Sequence, residues 1–153
     1  MPVVRIEGDM FMDSQAHAYI NTVNLQGVTG CGIAEIMKRK FKYACQEYRD
    51  ACHNGDITLG KIFDTHSYAT GNPQTIVHFP TKQAWRNPSQ LAWIEAGLIS
   101  LREWLLRCEE GYILAMPLLG CKNGQLDRKD VDPLIDKYLG DISHVEVRLY
   151  HLV

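Results

Sequence analysis

The hydrophobic pattern switches repeatedly between the period of a strand and that of a helix. Val3-Val4-Arg5-Ile6 is a short run closed by Gly8-Asp9, and Ala18-Tyr19-Ile20-Asn21-Thr22-Val23 is a second, rich in β-branched and aromatic residues; both predict strands. A glycine-bearing loop, Leu25 to Gly32, leads into a helical run from Ile33 to about Phe41. Helical spacing continues from Tyr43 to Cys52 and stops at His53-Asn54-Gly55, where glycine supplies a left-handed cap. Lys61 to His66 and Thr75 to Phe79 read as a hairpin around Thr70-Gly71-Asn72-Pro73, with Pro80 ending its second strand.

Asn87 is expected to cap the next helix, with Pro88 in its first position and Gln90 three residues after the cap. Leu91, Ile94, Leu98, Leu101 and Leu105 recur at helical spacing and predict one buried stripe. Tyr112 to Met116 is apolar throughout, as in a strand covered on both faces. A second loop, Leu118 to Gln125, precedes a helix capped by Asp127 and running to Tyr138, and His144 to Tyr150 forms the last strand. Strands and helices alternate along most of the chain, which predicts an α/β fold: a three-layer α/β/α sandwich with a mixed central sheet. No repeat, low-complexity tract or Ser/Gly-rich linker interrupts it, so residues 1–153 are expected to form one domain.

Composition narrows the class. With 46% hydrophobic and 22% charged residues the chain is ordinary for a globular protein and wrong for disorder. A formal charge of −2 gives no general field for nucleic acid, so a polyanion needs a local basic patch. The five cysteines are odd in number and form no CxxC pair, which argues against a disulfide framework or a zinc ribbon. Met1 to Glu7 lacks the features of a signal peptide, and no stretch approaches the ~20 apolar residues of a membrane helix. A cytoplasmic monomer with no membrane partner is expected.

Chemistry concentrates in the two glycine loops. Each follows a strand and precedes a helix, so both are expected at the carboxyl edge of the sheet, where α/β ligands bind. Gly27, Gly30 and Gly32 in the first, and Gly120 and Gly124 in the second, let backbone amides approach an anion near a helix N-terminus. Two such turns on one edge suit a diphosphate. For either loop alone, glycines that merely make turns remain the simpler reading. The spacing of Gly27, Gly30 and Gly32 is wrong for a dinucleotide fingerprint, and no GxxxxGK[ST] occurs.

Together, Gly8-Asp9, Asn21-Thr22-Val23-Asn24 leading into Gly27-Val28-Thr29-Gly30-Cys31-Gly32-Ile33-Ala34, and Pro117-Leu118-Leu119-Gly120-Cys121 resemble the macro domain family. Within it, the chain is similar to the branch of the DarG antitoxin macro domain and the human terminal ADP-ribose glycohydrolase. His78-Phe79-Pro80-Thr81-Lys82-Gln83-Ala84-Trp85-Arg86 resembles that branch's NFPTK-x-x-WR segment. The resemblance implies an ADP-ribose-binding domain with ADP-ribosyl hydrolase activity, with ADP-ribosylated DNA as the expected substrate.

It also implies roles. Asp9 would accept from the adenine amino group, with the Met10 backbone beside it; a turn-forming aspartate is the alternative. Asn24, with Asn21 upstream, lies near the distal ribose, where an amide can donate and accept; an Asx turn is the alternative. Gly30, Cys31, Gly32 and Ile33 match the first phosphate and ribose loop, and Leu119, Gly120, Cys121, Lys122, Asn123 and Gly124 the second. Tyr150 matches an aromatic packed on adenine, although a strand tyrosine is as readily core.

Lys82 matches the lysine that acts at the anomeric carbon of the distal ribose. An amine can attack there, displace the attached group and form an imine-type intermediate that water resolves. It must be neutral to attack, which burial or a cation such as Arg86 favours. A solvated lysine is the alternative. The chain departs from the branch at Thr29 and Cys31 (Met and Lys there), at Lys122 and Gln125 (both glycine) and at Arg128 (tryptophan), and Gly124 stands where the human enzyme has its catalytic aspartate.

No cofactor and no metal is expected. His66 and His78 face across the hairpin without a third ligand at suitable spacing. Cys121, on a loop before a helix, is read as a packing residue rather than a thiolate nucleophile. Glu109-Glu110 is read as a solvated helix end. Lys38-Arg39-Lys40 with Lys42 is a wet helix face that, with Arg86, offers phosphate contacts if the substrate is DNA. Two other functions fit the same residues: a non-catalytic ADP-ribose reader, and a phosphatase acting on ADP-ribose 1″-phosphate.

Overall fold

The strands assemble into one six-stranded sheet, seen in a computed structural model that describes residues 3–30, 32–121 and 124–151. In chain order they are β1 (Val3–Glu7), β2 (Ala18–Asn24), β3 (Phe63–His66), β4 (Thr75–Lys82), β5 (Tyr112–Pro117) and β6 (Val145–His151). Their order across the sheet is β1-β6-β5-β2-β4-β3. All neighbours run parallel except β3, which pairs antiparallel with β4 through Phe63↔His78 to His66↔Thr75. The sheet is therefore mixed, with its antiparallel member at one edge.

Four α-helices cover it: α1 (Ile33–Lys40), α2 (Lys42–His53), α3 (Leu91–Leu106) and α4 (Arg128–Leu139). Strand alternation sends consecutive side chains to opposite faces. Ile20, Phe79, Leu114, Met116 and Leu149 pack with Ile94, Leu98 and Leu101 of α3 and Ile135 of α4. Their neighbours Tyr19, Ile76 and Ala115 pack with Met37 of α1 and Ala44 and Cys45 of α2. The sequence pattern thus gives three layers, with the helices in two pairs on opposite faces. Gly97 on α3 lies where an added Cβ would collide with the Phe79 ring, so that helix sits directly on β4. Among the described residues, no helix is long and apolar enough to cross a membrane.

Three local expectations fail, each for a physical reason. Pro80 does not end β4, which continues to Lys82. The ladder with β3 stops at His78, so beyond it β4 is an edge on that side, where a residue without an N–H is tolerated. Asn87 does not cap α3, which starts at Leu91 after Gln90, without a side-chain cap. Instead the Asn87 amide closes a turn onto Ala84 O (3.1 Å), and the Ser89 amide donates to Gly124 O (2.8 Å), which ties the segment to the second glycine loop. Leu91 is 37% exposed and lies outside the buried stripe that Ile94, Leu98, Leu101 and Leu105 form.

Candidate functional site at the carboxyl edge of the sheet

Because β1, β2, β4, β5 and β6 are all parallel, the loops that follow them emerge at one edge. Gly8-Asp9, the two glycine loops and the segment after Lys82 therefore converge there, as the sequence led one to expect for the two loops.

The first loop is built on Asn24, at the end of β2. Its Oδ1 accepts from the amides of Gln26 (3.0 Å) and Val28 (3.3 Å), and its Nδ2 donates to Val28 O (2.9 Å). Tyr48 of α2 donates to the Asn24 carbonyl (2.7 Å) and also reaches Oδ1 (3.2 Å). The Asx-turn alternative therefore describes Asn24 in this structure. Its amide anchors the loop from below and is 6% exposed. Asn21 lies deeper on β2, 2% exposed, with Nδ2 3.2 Å from His78 Nδ1. It is not at the edge.

Gly30 and Gly32 face open space: an added Cβ would meet nothing within 4 Å at either. Gly32 caps α1 with φ +73° and offers no side-chain acceptor to the first turn. Without a side-chain cap, the N–H groups of that turn are a place where an anion is favoured. Ile33 packs partly against the α1–α2 core. Cys31 lies outside the described residues.

The second loop differs. A Cβ on Gly124 would collide with Gly120 O and Ser89 Oγ, and one on Gly120 would lie 2.9 Å from Leu126. These glycines permit close packing rather than an open approach. Leu119 is fully buried in the core, and the Gly120 carbonyl accepts from the Leu126 amide (2.9 Å). Burial raises the Cys121 thiol above its ordinary range, in keeping with a packing role. Gln125 has φ +64°, a left-handed conformation that glycine adopts more readily. Helix α4 already carries its own anion, since Asp127 accepts from the Lys129 amide (2.9 Å). Lys122 and Asn123 lie outside the described residues.

Lys82, the last residue of β4, is in register with Asn24 after a one-residue shift in which Thr81 of β4 has no partner on β2. Its Nζ donates to Trp85 O (3.1 Å). The Leu25 amide donates to Gln83 O (3.3 Å) and the Trp85 amide to Gln26 Oε1 (3.1 Å), so the lysine turn and the first loop are stitched together. The guanidinium of Arg86 lies over the Trp85 ring, 4.8 Å from its centre.

At the other end of the edge, Asp9 is exposed and caps the 3-10 turn Met10–Met12 by accepting from the Phe11 amide (2.9 Å); the Met10 side chain is buried. Tyr150 donates to Asp13 Oδ2 (2.6 Å), and Arg148 bonds both oxygens of the same carboxylate (3.1 Å each). Burial and the Asp13 charge push the Tyr150 hydroxyl up to about 12, so it stays a donor. Burial pushes the Asp13 carboxyl up, but the bonds from Tyr150 and Arg148 outweigh it and leave the group below the usual range.

Sequence reasoning missed Tyr48, Asp13, Gln26 and Ser89, which hold the edge together; their partners lie far away in the chain and carry no local signal. Away from the edge, His66 accepts from the Tyr68 amide, and His78 is turned to Thr65 and Asn21. Lys38, Arg39 and Lys42 line a surface groove of about 490 Å³ with Tyr43 and Arg49.

The family model described as Macro domain matches residues 20–135. A DNA ADP-ribosyl glycohydrolase of Mycobacterium tuberculosis is 37% identical over 143 residues, 94% of this chain and 40% of the relative. The chain thus spans two-fifths of the length of the curated relatives it matches first. Among solved structures, the macrodomain of Mycobacterium tuberculosis DarG superposes with a TM-score of 0.90 at 36% identity, over 97% of this chain and 96% of that one. Thermosipho africanus DarTG in complex with ADP-ribose gives 0.81 at 29% identity, over 99% of this chain and 41% of that one. The chain belongs to the macro domain family, on the branch of the DarG macrodomains.

Proposed function

We propose that this domain binds ADP-ribose along the carboxyl edge of its sheet and removes ADP-ribose from DNA, with Lys82 as nucleophile. The observation that carries the reading is the placement of Lys82 opposite Asn24, beside a glycine loop that opens onto an uncapped helix. The names of the relatives, DNA ADP-ribosyl glycohydrolase, and the ADP-ribose in the Thermosipho structure support it.

The diphosphate is held by the amides of Gly32 and the first turn of α1. Gly30 and Gly32 leave the room it needs, while Gly120 and Gly124 shape the opposite wall. The adenine lies toward Asp9 and Tyr150; Asp9 uses Oδ1 on Phe11, which leaves Oδ2 for the adenine amine. Asn24 acts by fixing the loop, and Asn21 from behind it. Cys31, Lys122 and Asn123 complete the two loops.

The deprotonated Lys82 amine attacks the anomeric carbon of the terminal ribose. The bond from that carbon to the nucleobase nitrogen breaks, and the base takes up a proton. The new amine adduct loses a proton and its sugar ring opens to an imine. Water then adds to the same carbon, expels the lysine and releases ADP-ribose. The rest of the reading is a single cytoplasmic domain acting as a monomer. The free thiols of Cys45, Cys52, Cys108 and Cys121 support a reducing compartment.

The test compares wild type with Lys82→Ala on an ADP-ribosylated oligonucleotide. The variant is expected to bind ADP-ribose as wild type does and to release none. Full release by the variant excludes the lysine mechanism. A wild-type protein that binds ADP-ribose yet leaves modified DNA intact is a reader, and phosphate released from ADP-ribose 1″-phosphate identifies a phosphatase.

A further inference from the structure

Resting on the DNA reading above, we infer that Trp85 and Arg86 form a platform for a nucleobase adjoining the modified nucleotide, so that the strand is read along with its ADP-ribose. Trp85 is 44% exposed and belongs to none of the buried clusters. An exposed indole by itself means little. The backbone that carries this one, however, is held at several points. Its amide donates to Gln26 Oε1, its carbonyl accepts from Lys82 Nζ, and the Asn87 amide closes the turn onto Ala84 O. Downstream, the Ser89 amide fixes the segment to Gly124. The Trp85 backbone is thus tied to both glycine loops, and its carbonyl is one hydrogen bond from the amine that attacks the sugar.

Arg86 adds the charge. Its guanidinium lies over the Trp85 ring, and it forms no ion pair among the described residues. A planar cation stacked on an indole presents two π-surfaces and a phosphate donor together, the combination used to hold single strands without sequence preference. A chain of net charge −2 attracts a polyanion only through such local features. A neighbouring base that stacks on Trp85 must first leave its own stack and partner, which costs least in a single strand, so the platform favours a single strand.

The experiment measures kcat/KM for a single ADP-ribosylated nucleotide and for the same nucleotide within a short single strand, using wild type, Trp85→Ala, Trp85→Phe and Arg86→Ala. Trp85→Ala is expected to lose about tenfold more on the strand than on the nucleotide. Trp85→Phe should recover most of that difference, and Arg86→Ala should flatten the salt dependence seen with the strand. Equal losses of Trp85→Ala on both substrates, or none on either, overturn the inference. Wild type that cleaves neither substrate removes the DNA reading itself and the platform with it, an outcome distinct from the first because it appears before any substitution is made.

Discussion

At the scale of single residues, His78 is the most consequential side chain outside the site. It is fully buried, its ring stacks on Tyr48, and it is held between Thr65 Oγ1 (2.9 Å from Nε2) and Asn21. Burial pushes its pKa down from 6.5 to about 3, so the folded protein keeps it neutral. The unfolded chain protonates it below about pH 6.5, and stability falls as pH drops through that value toward 3. Between pH 7 and pH 5 this removes about 2 kcal/mol. Urea midpoints at those two pH values should show the loss in wild type and not in His78→Gln; equal pH dependence in both would contradict it. Sequence showed His78 only as a hairpin histidine, because its burial comes from α2, which packs across the sheet. Asn24 was ambiguous for a different reason. A ligand contact and an Asx turn ask for the same donor and acceptor at a strand end, and the bonds that Asn24 makes within this structure are those of the turn.

At the scale of elements, the two glycine loops look alike in sequence and differ in what their glycines do. Gly32 needs its positive φ but faces open space, whereas Gly124 is closed in by Ser89 and Gly120. Gly32→Ala should cost about 1 kcal/mol of stability through backbone strain and should weaken ADP-ribose binding by narrowing the cleft. Gly124→Ala should cost more, about 2–3 kcal/mol, because packed backbone must move. Denaturant titrations that rank the two variants the other way would mean that the second loop yields freely. Strand and helix identities were largely legible, since the switch between periods of two and 3.6 is local. Pro80 and Asn87 misled because each obeyed a local rule that a distant partner cancelled: the early end of β3, and the hold of Gly124 on Ser89.

At the scale of the whole molecule, parallel order does the functional positioning. Five strands pointing one way deliver Asp9, the two loops, Lys82 and Tyr150 to one edge, although they are spread from the start of the chain to its end. That convergence was foreseeable for the two loops, each between a strand and a helix. The stitching of the lysine turn to the first loop through Gln26 and Gln83 was not, because it depends on β2 and β4 being neighbours. The α1–α2 layer supplies Tyr48 beneath the first loop, and α3 seats β4 through Gly97 and Phe79.

The central claim, an amine of this edge bonded to the terminal sugar during turnover, is tested most directly by reducing the reaction with borohydride and mapping the protein by peptide mass. An ADP-ribosyl adduct on the peptide containing Lys82, absent from Lys82→Ala, is the predicted result. Wild-type turnover of the modified strand with no adduct, or with the adduct on another lysine, would contradict it.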